Sequence, residues 1–288
     1  MENAVANTQQ KKTGITTYLT KDAVKQNIMS VVGEKNTTKF ISSVISAVQT
    51  NPALAECTNS SILSSALLGE ALQLSPSPQL GQFYMVPYKN TKTGQSEAQF
   101  QLGAKGYKQL AIRSGQYKKI VTSVVKQGEL KAFNPITEEY VFEPVMDIAA
   151  REKLPVIGYY AAFELNNGFK KEIYWSKEKM VEHAKMYSNG YRNDLKKKTA
   201  YTFWSKDFDG MAEKTMIRQL ISKWGIMSIE MQKAYEGDMG VIQDDGSVRY
   251  IDNEIDAVEM AQEEIAENAN TEELEIEDAE FAEAPEFE

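Results

Sequence analysis

Three observations on the sequence predict an α+β fold, a small antiparallel β-sheet flanked by helices. Apolar residues recur at helical spacing towards both ends of the chain, and between them the pattern changes to short aromatic and β-branched runs. Those runs are joined by turn residues and not by crossover helices, and helix, sheet and helix in blocks argue against a βαβ array. With 288 residues, 42% of them hydrophobic, the chain can bury one large core or two small ones.

Residues 1–20 read as a flexible N-terminal arm, followed by amphipathic helices at 21–32 and 38–50. In "NSSILSSALLGEALQL", Asn59 or Ser60 is the expected N-cap, and Leu63, Leu67, Ala71 and Leu74 form one apolar stripe. "SPSP" at 75–78 ends that helix. "GQFYMVPYKN" and "EAQFQLG", linked by the turn-rich "NTKTGQS", predict a β-hairpin. A helix over 104–114 puts Tyr107, Leu110, Ala111 and Ser114 on one face, toward the sheet, and Lys105, Gln109 and Arg113 on another, with Lys108 beside them. Strands follow at 117–127, 139–143, 156–165 and 169–175, the last two joined by Asn-Asn-Gly, a hairpin signal. Helices return at 177–187 and 206–224.

The net charge of −9 conceals two regions of opposite sign. Residues 238–288 hold 19 acids and a single base, Arg249, for a net of −18, which leaves residues 1–237 at +9. A run such as "EDAEFAEAPEFE" has too little apolar content to offset the entropy cost of ordering it, so 238–288 is expected to be a disordered acidic tail. The expected organisation is thus an arm at 1–20, a basic core at 21–237 and the tail. That tail could solubilise the protein, compete with nucleic acid for the core, or dock on a partner through Phe281 and Phe287.

Several kinds of chemistry lack their residues. The single cysteine, Cys57, allows no internal disulfide and reads as a small buried side chain in a reducing cytosol. A Ser/His/Asp triad, a Cys/His pair or a multi-histidine zinc site would all have to use His183, which sits in the helical-looking "KEKMVEHAKMY" and reads as a surface or capping residue. There is no GxxxxGK[ST] phosphate loop, no apolar run of about 18 residues, and no signal-peptide core at the start. The expectation is therefore a soluble protein with no cofactor, no metal and no enzymatic activity.

What remains is a basic core studded with rings. Beside the helix carrying Lys105, Lys108, Gln109 and Arg113 stands "NGYRNDLKKKTAYTFWSKDF", in which Arg192, Lys196, Lys197, Lys198 and Lys206 alternate with Tyr191, Tyr201, Phe203 and Trp204. Phosphates attract cations and bases stack on aromatic faces, which suits single-stranded nucleic acid. Phe203 and Trp204 could equally anchor the segment to the core. The following helix places Lys214 and Arg218 one turn apart, a third basic element. Arg192 and the 196–198 run are expected on a mobile loop that closes over the DNA track.

"LQLSPSPQLGQFYMVPYKN", "AQFQLGAKGYKQLAIRSGQYK" and "FWSKDFDGMAEKTMIRQLISKWGIMSIEM" together resemble the RecT family of phage single-strand annealing proteins over about residues 55–235. Ala104 and Gln109 depart from that family's usual pattern, while Lys105, Gly106 and Arg113 keep to it. The resemblance implies an ATP-independent recombination protein, cytoplasmic in a bacterial host. It would coat single-stranded DNA, pair it into annealed duplex, and assemble into rings or helical filaments. A phage 5′–3′ exonuclease and a host single-strand binding protein would be further partners, and no membrane is implied. Two other readings stay open: a metal-dependent nuclease built on Asp207, Asp209 and Glu213 of "KDFDGMAEK", and a purely structural phage oligomer.

Overall fold

The computed structural model describes residues 13–90, 93–134, 136–243 and 245–250. The first layer is helical: α1 (Ile15–Leu19), α2 (Asp22–Val32), α3 (Glu34–Thr50), a 3-10 turn (Pro52–Glu56) and α4 (Asn59–Ala71). The cap of α4 lies one residue before the first of the two expected, with Thr58 accepting from the Ser61 amide. The helix buries Ile62, Leu63 and Ala66, and it is stapled to the sheet where Ser61 Oγ accepts from the Ala98 amide and Ser65 Oγ donates to the Ala98 carbonyl. Gly69 permits this approach, since a Cβ there would lie 2.2 Å from the Phe83 ring.

The expected hairpin is present as β1 (Phe83–Lys89) and β2 (Ser96–Leu102), paired from Phe83↔Leu102 to Lys89↔Ser96. After α5 (Ala104–Arg113) comes a second sheet of β3 (Tyr117–Lys126), β6 (Val156–Leu165) and β7 (Lys170–Ser176), in the order β3-β6-β7. Between β3 and β6 lie a separate hairpin, β4 (Leu130–Asn134) with β5 (Glu139–Phe142), and the short helix α6 (Ile148–Lys153). Then follow α7 (Lys177–Tyr187), α8 (Asn189–Lys197), α9 (Phe203–Lys206), α10 (Phe208–Trp224) and α11 (Ile229–Gly237). Among the described residues every pairing between these strands is antiparallel, so the α+β expectation holds, with three small sheets in place of one. Helix α10 is the spine: Ala212, Met216, Ile217, Leu220 and Ile221 are fully buried against the second sheet and α5. Each of its larger side chains contributes about 1.5–3 kcal/mol by leaving water.

Both expected core boundaries move outward. Residues 13–20 belong to the fold, because Leu19 of α1 is fully buried. The basic core does not stop at Gly237 either, since β8 (Gly240–Ile242) and β9 (Val248–Tyr250) extend the first sheet to the order β1-β2-β8-β9. Asp238, counted by charge alone as the first tail residue, is fully buried. Its carboxylate accepts from the Leu102 amide at 2.8 Å and the Tyr107 hydroxyl at 3.0 Å, and it meets Lys214 Nζ at 3.2 Å and Arg218 Nε at 3.6 Å. Arg249 grips Glu97 at 2.6 Å and holds the far end of this β8–β9 strap. Residues 1–12 of the arm and 251–288 of the tail lie outside the described residues.

His183 is half-buried in the interior of α7, so it caps no helix and is only partly a surface residue. Its ring packs 5.3 Å from that of Trp175 and 4.4 Å from that of Tyr187. Burial, with Arg218 and Lys179 nearby, pushes its pKa down to about 4. The unfolded chain therefore takes the proton first as pH falls. Stability is expected to drop by about 3 kcal/mol between pH 6.5 and 4, because each tenfold difference in proton affinity is worth about 1.4 kcal/mol. His183→Phe should flatten that part of the profile in urea unfolding across pH; an unchanged slope would remove the assignment.

Candidate nucleic-acid interface

The surface is built from the glycines of "LGAKG". A Cβ on Gly103 would lie 2.1 Å from the Gly81 carbonyl oxygen, and one on Gly106 2.1 Å from that of Gln82. Two glycines thus let the 81–82 backbone lie on the first turn of α5, beside exposed Lys105, with Gly81 close to both the Lys105 stem and the Tyr84 hydroxyl. The Tyr84 ring in turn faces Phe203, centroids 5.8 Å apart and tilted by 40°. Phe203 is 45% exposed and Tyr201 79%, and Lys206 is exposed at the end of α9. Partial burial, with Asp207 nearby, raises the Tyr84 pKa, so its hydroxyl stays protonated.

Asp194 fastens the second half of this surface. It accepts from the hydroxyls of Thr199 (2.6 Å), Thr202 (2.8 Å) and Ser205 (2.7 Å) and from the amides of Tyr201 and Thr202. These bonds, Thr199's first, hold its carboxyl well below the usual carboxylate range. They also fix the turn that joins exposed Lys196, Lys197 and Lys198 to Phe203. Lys198 ends α8 in the left-handed conformation, φ 55°. Lys105 is thus linked by way of Gly81 and Tyr84 to the exposed ring of Phe203, which the turn held by Asp194 joins to the lysines at the end of α8.

The structure redistributes the residues read from sequence. Lys105, Lys196, Lys197, Lys198 and Lys206 are exposed as expected. Arg192 and the first two lysines of the run belong to a regular helix and not to a mobile loop, with Tyr191 and Asp194 facing inward; Arg192 itself bonds the Asn189 side chain. Lys108 donates to Thr122 Oγ1 at 2.7 Å, and Gln109 is half-buried beside it. Arg113 caps α4 by donating to the Leu72 and Gln73 carbonyls at 2.7 and 3.1 Å, which gives it a structural task.

Three residues are core and a fourth is half-buried. Tyr191 and Trp204, each 8% exposed, pack with Phe208 in a ring cluster. Lys214 is buried against Asp238, and burial lowers its pKa while the carboxylate opposes that change. Arg218 lies over the Tyr235 ring at 4.5 Å. Sequence reasoning passed over Tyr84 and left Phe203 undecided between stacking and anchoring, where the structure turns its ring outward. One signal was available: Trp204, Phe208, Met211 and Ala212 form an apolar stripe at helical spacing, which directs Trp204 inward and leaves Phe203 out.

The three carboxylates of the nuclease reading are each engaged by the protein. Asp207 caps α10 by accepting from the Gly210 amide at 3.0 Å, Asp209 accepts from the Tyr159 hydroxyl at 2.6 Å, and Glu213 accepts from Thr122 at 2.9 Å. Among the described residues no group of three or more His, Cys, Asp or Glu side chains is placed to hold a metal ion, and no helix is long and apolar enough to cross a membrane.

The sequence assigns the chain to a class of recombination proteins: the sequence model of the RecT family matches residues 38–256, and the chain belongs to that family. Membership supports, at the level of the family, a role in recombination by single-strand annealing. Among individual relatives, YqaK, an uncharacterized protein of Bacillus subtilis (strain 168), is 38% identical over 266 residues, covering 92% of this chain and 84% of YqaK. Protein RecT of Escherichia coli (strain K12) is 27% identical over 232 residues, 79% of this chain and 81% of RecT.

Proposed function

We propose that the protein binds single-stranded DNA and anneals complementary strands without ATP, as a homo-oligomer and with no bond-making or bond-breaking step of its own. The observation that carries this is the set of exposed Lys105, Phe203 and Lys196–Lys198, with half-buried Tyr84 packed against Phe203, in a chain of the RecT family. Lysines neutralise phosphates, which lowers the repulsion between two strands, and exposed rings hold bases without reading them. Watson–Crick pairing then supplies the specificity. A 5′–3′ exonuclease that generates single strands, and a single-strand binding protein that already covers them, are the partners this activity calls for.

Binding should be salt-dependent, with log affinity falling by about 0.7 per phosphate neutralised for each unit of log salt. Lys105→Ala with Lys197→Ala is expected to weaken oligonucleotide binding and flatten that slope by about 0.7 for each phosphate left without its lysine. Titrating a fluorescent single strand at several salt concentrations, then adding its complement without nucleotide or metal, measures binding and annealing together. A slope unaltered by the double substitution moves the DNA track elsewhere, and strand cleavage in magnesium that is abolished by Asp209→Ala replaces annealing with the nuclease reading.

A further inference from the structure

The segment between β3 and β6 forms an arm whose only strand pairing, among the described residues, is its own hairpin. It is nevertheless held firmly. Phe133, Tyr140 and Phe142 line up along it and rest on Tyr160 and Tyr174 of the second sheet. At its base Glu129, 3% exposed, accepts from Arg151 Nε at 2.5 Å and from the amides of Lys126 and Val145 at 2.7 and 3.2 Å. Arg151 also donates to the Val124 carbonyl at 2.8 Å, and Asp147 caps α6. This clamp orders a loop that buries nothing of its own: α6 has no buried residue, Met146 is 86% exposed, Ile148 72%, and Ile136 at the hairpin tip 91%. Fixed, exposed apolar side chains of this kind mark a surface for another protein.

Charge indicates which protein. Residues 137–153 carry five acids against Arg151 and Lys153, a net of −3, in a core that is otherwise strongly basic. A second apolar patch lies where α5 meets α11, with Ile112 61%, Ile226 41% and Ile229 68% exposed, beside Arg113 and exposed Lys233, which outnumber the single Glu230 carboxylate near them both. We propose that the arm, through Met146 and Ile148, docks on the Ile112–Ile229 patch of a second copy of this chain. An acidic, apolar arm meets a basic-flanked, apolar patch, so the contact is head-to-tail and propagates into chains or rings. The inference rests on the homo-oligomer part of the function proposed above and adds its two faces.

The test uses full-length protein and mass photometry, with and without a short single strand. Met146→Asp with Ile148→Asp is expected to leave monomers, and so is Ile112→Asp with Ile229→Asp. Mixing the two variants should give heterodimers and nothing longer, because each keeps one intact face. Thermal melting checks that both variants fold; if one does not, Ile148→Lys or Ile229→Lys takes its place in the mixing experiment. Parent-sized assemblies from either folded double variant would overturn the proposal, as would folded monomers that fail to pair on mixing. Oligonucleotide binding by the monomeric variants separates the outcomes: lost assembly with retained binding supports the arm interface, whereas parent protein that assembles but binds no DNA would sink the DNA-binding reading and leave this one standing.

Discussion

Asp238→Ala is expected to lower stability by about 3–5 kcal/mol, because it strands two buried cations. Lys214 is 11% exposed and Arg218 23%, and the fully buried Asp238 carboxylate is an anion that both of them face. The same substitution leaves the Tyr107 hydroxyl and the Leu102 amide without this acceptor. Urea unfolding of the variant beside Lys214→Met and the Asp238→Ala/Lys214→Met pair measures the coupling. The pair should cost less than the sum of its members, since with both charges removed Arg218 alone of the trio has to be resolvated. Additive losses would mean that Lys214 and Asp238 act independently.

Two adjacent rings should separate stability from binding. Trp204→Ala empties the cluster with Tyr191 and Phe208 and is expected to cost about 3–5 kcal/mol of stability. Phe203→Ala removes a half-exposed ring and should leave stability within about 1 kcal/mol. If bases stack on the Tyr84–Phe203 pair, it should also weaken single-strand binding by about 1–3 kcal/mol. Calorimetric melting and a binding titration on the same two samples suffice. Phe203→Ala binding with parental affinity would take the ring out of the interface.

Those adjacent rings also show where sequence reading works and where it runs out. Periodicity located α5 and its inward face correctly, with Tyr107, Leu110 and Ala111 all buried, because a 3.6-residue period is a local property. Hairpin chemistry placed β1–β2 and β6–β7 for the same reason. Exposure of a given cation is not local. Lys105 and Lys214 are both lysines on amphipathic helices, yet one is exposed and the other sits on a carboxylate 24 residues further along. The tail boundary failed for a related reason: net charge averages over a segment, and the average of an acidic stretch conceals one aspartate that the core requires and two three-residue strands. The Lys196–Lys198 run read as a loop because its helix is held by Asp194, whose hydroxyl partners lie beyond the helix end.

The strap formed by β8 and β9 has a consequence for the protein's synthesis. The Tyr107 hydroxyl waits for a carboxylate 131 residues downstream and the Leu102 amide for the same group 136 residues downstream. While the chain is still being made, β2 therefore carries a vacant edge, the kind of template on which strands of neighbouring nascent chains pair. Closure comes only when Gly240 reaches Phe100 and Arg249 reaches Glu97. The residues that complete the barrier to misassembly are among the last of the fold to leave the ribosome, so slowing translation of the final segment would lengthen the period in which this edge is open.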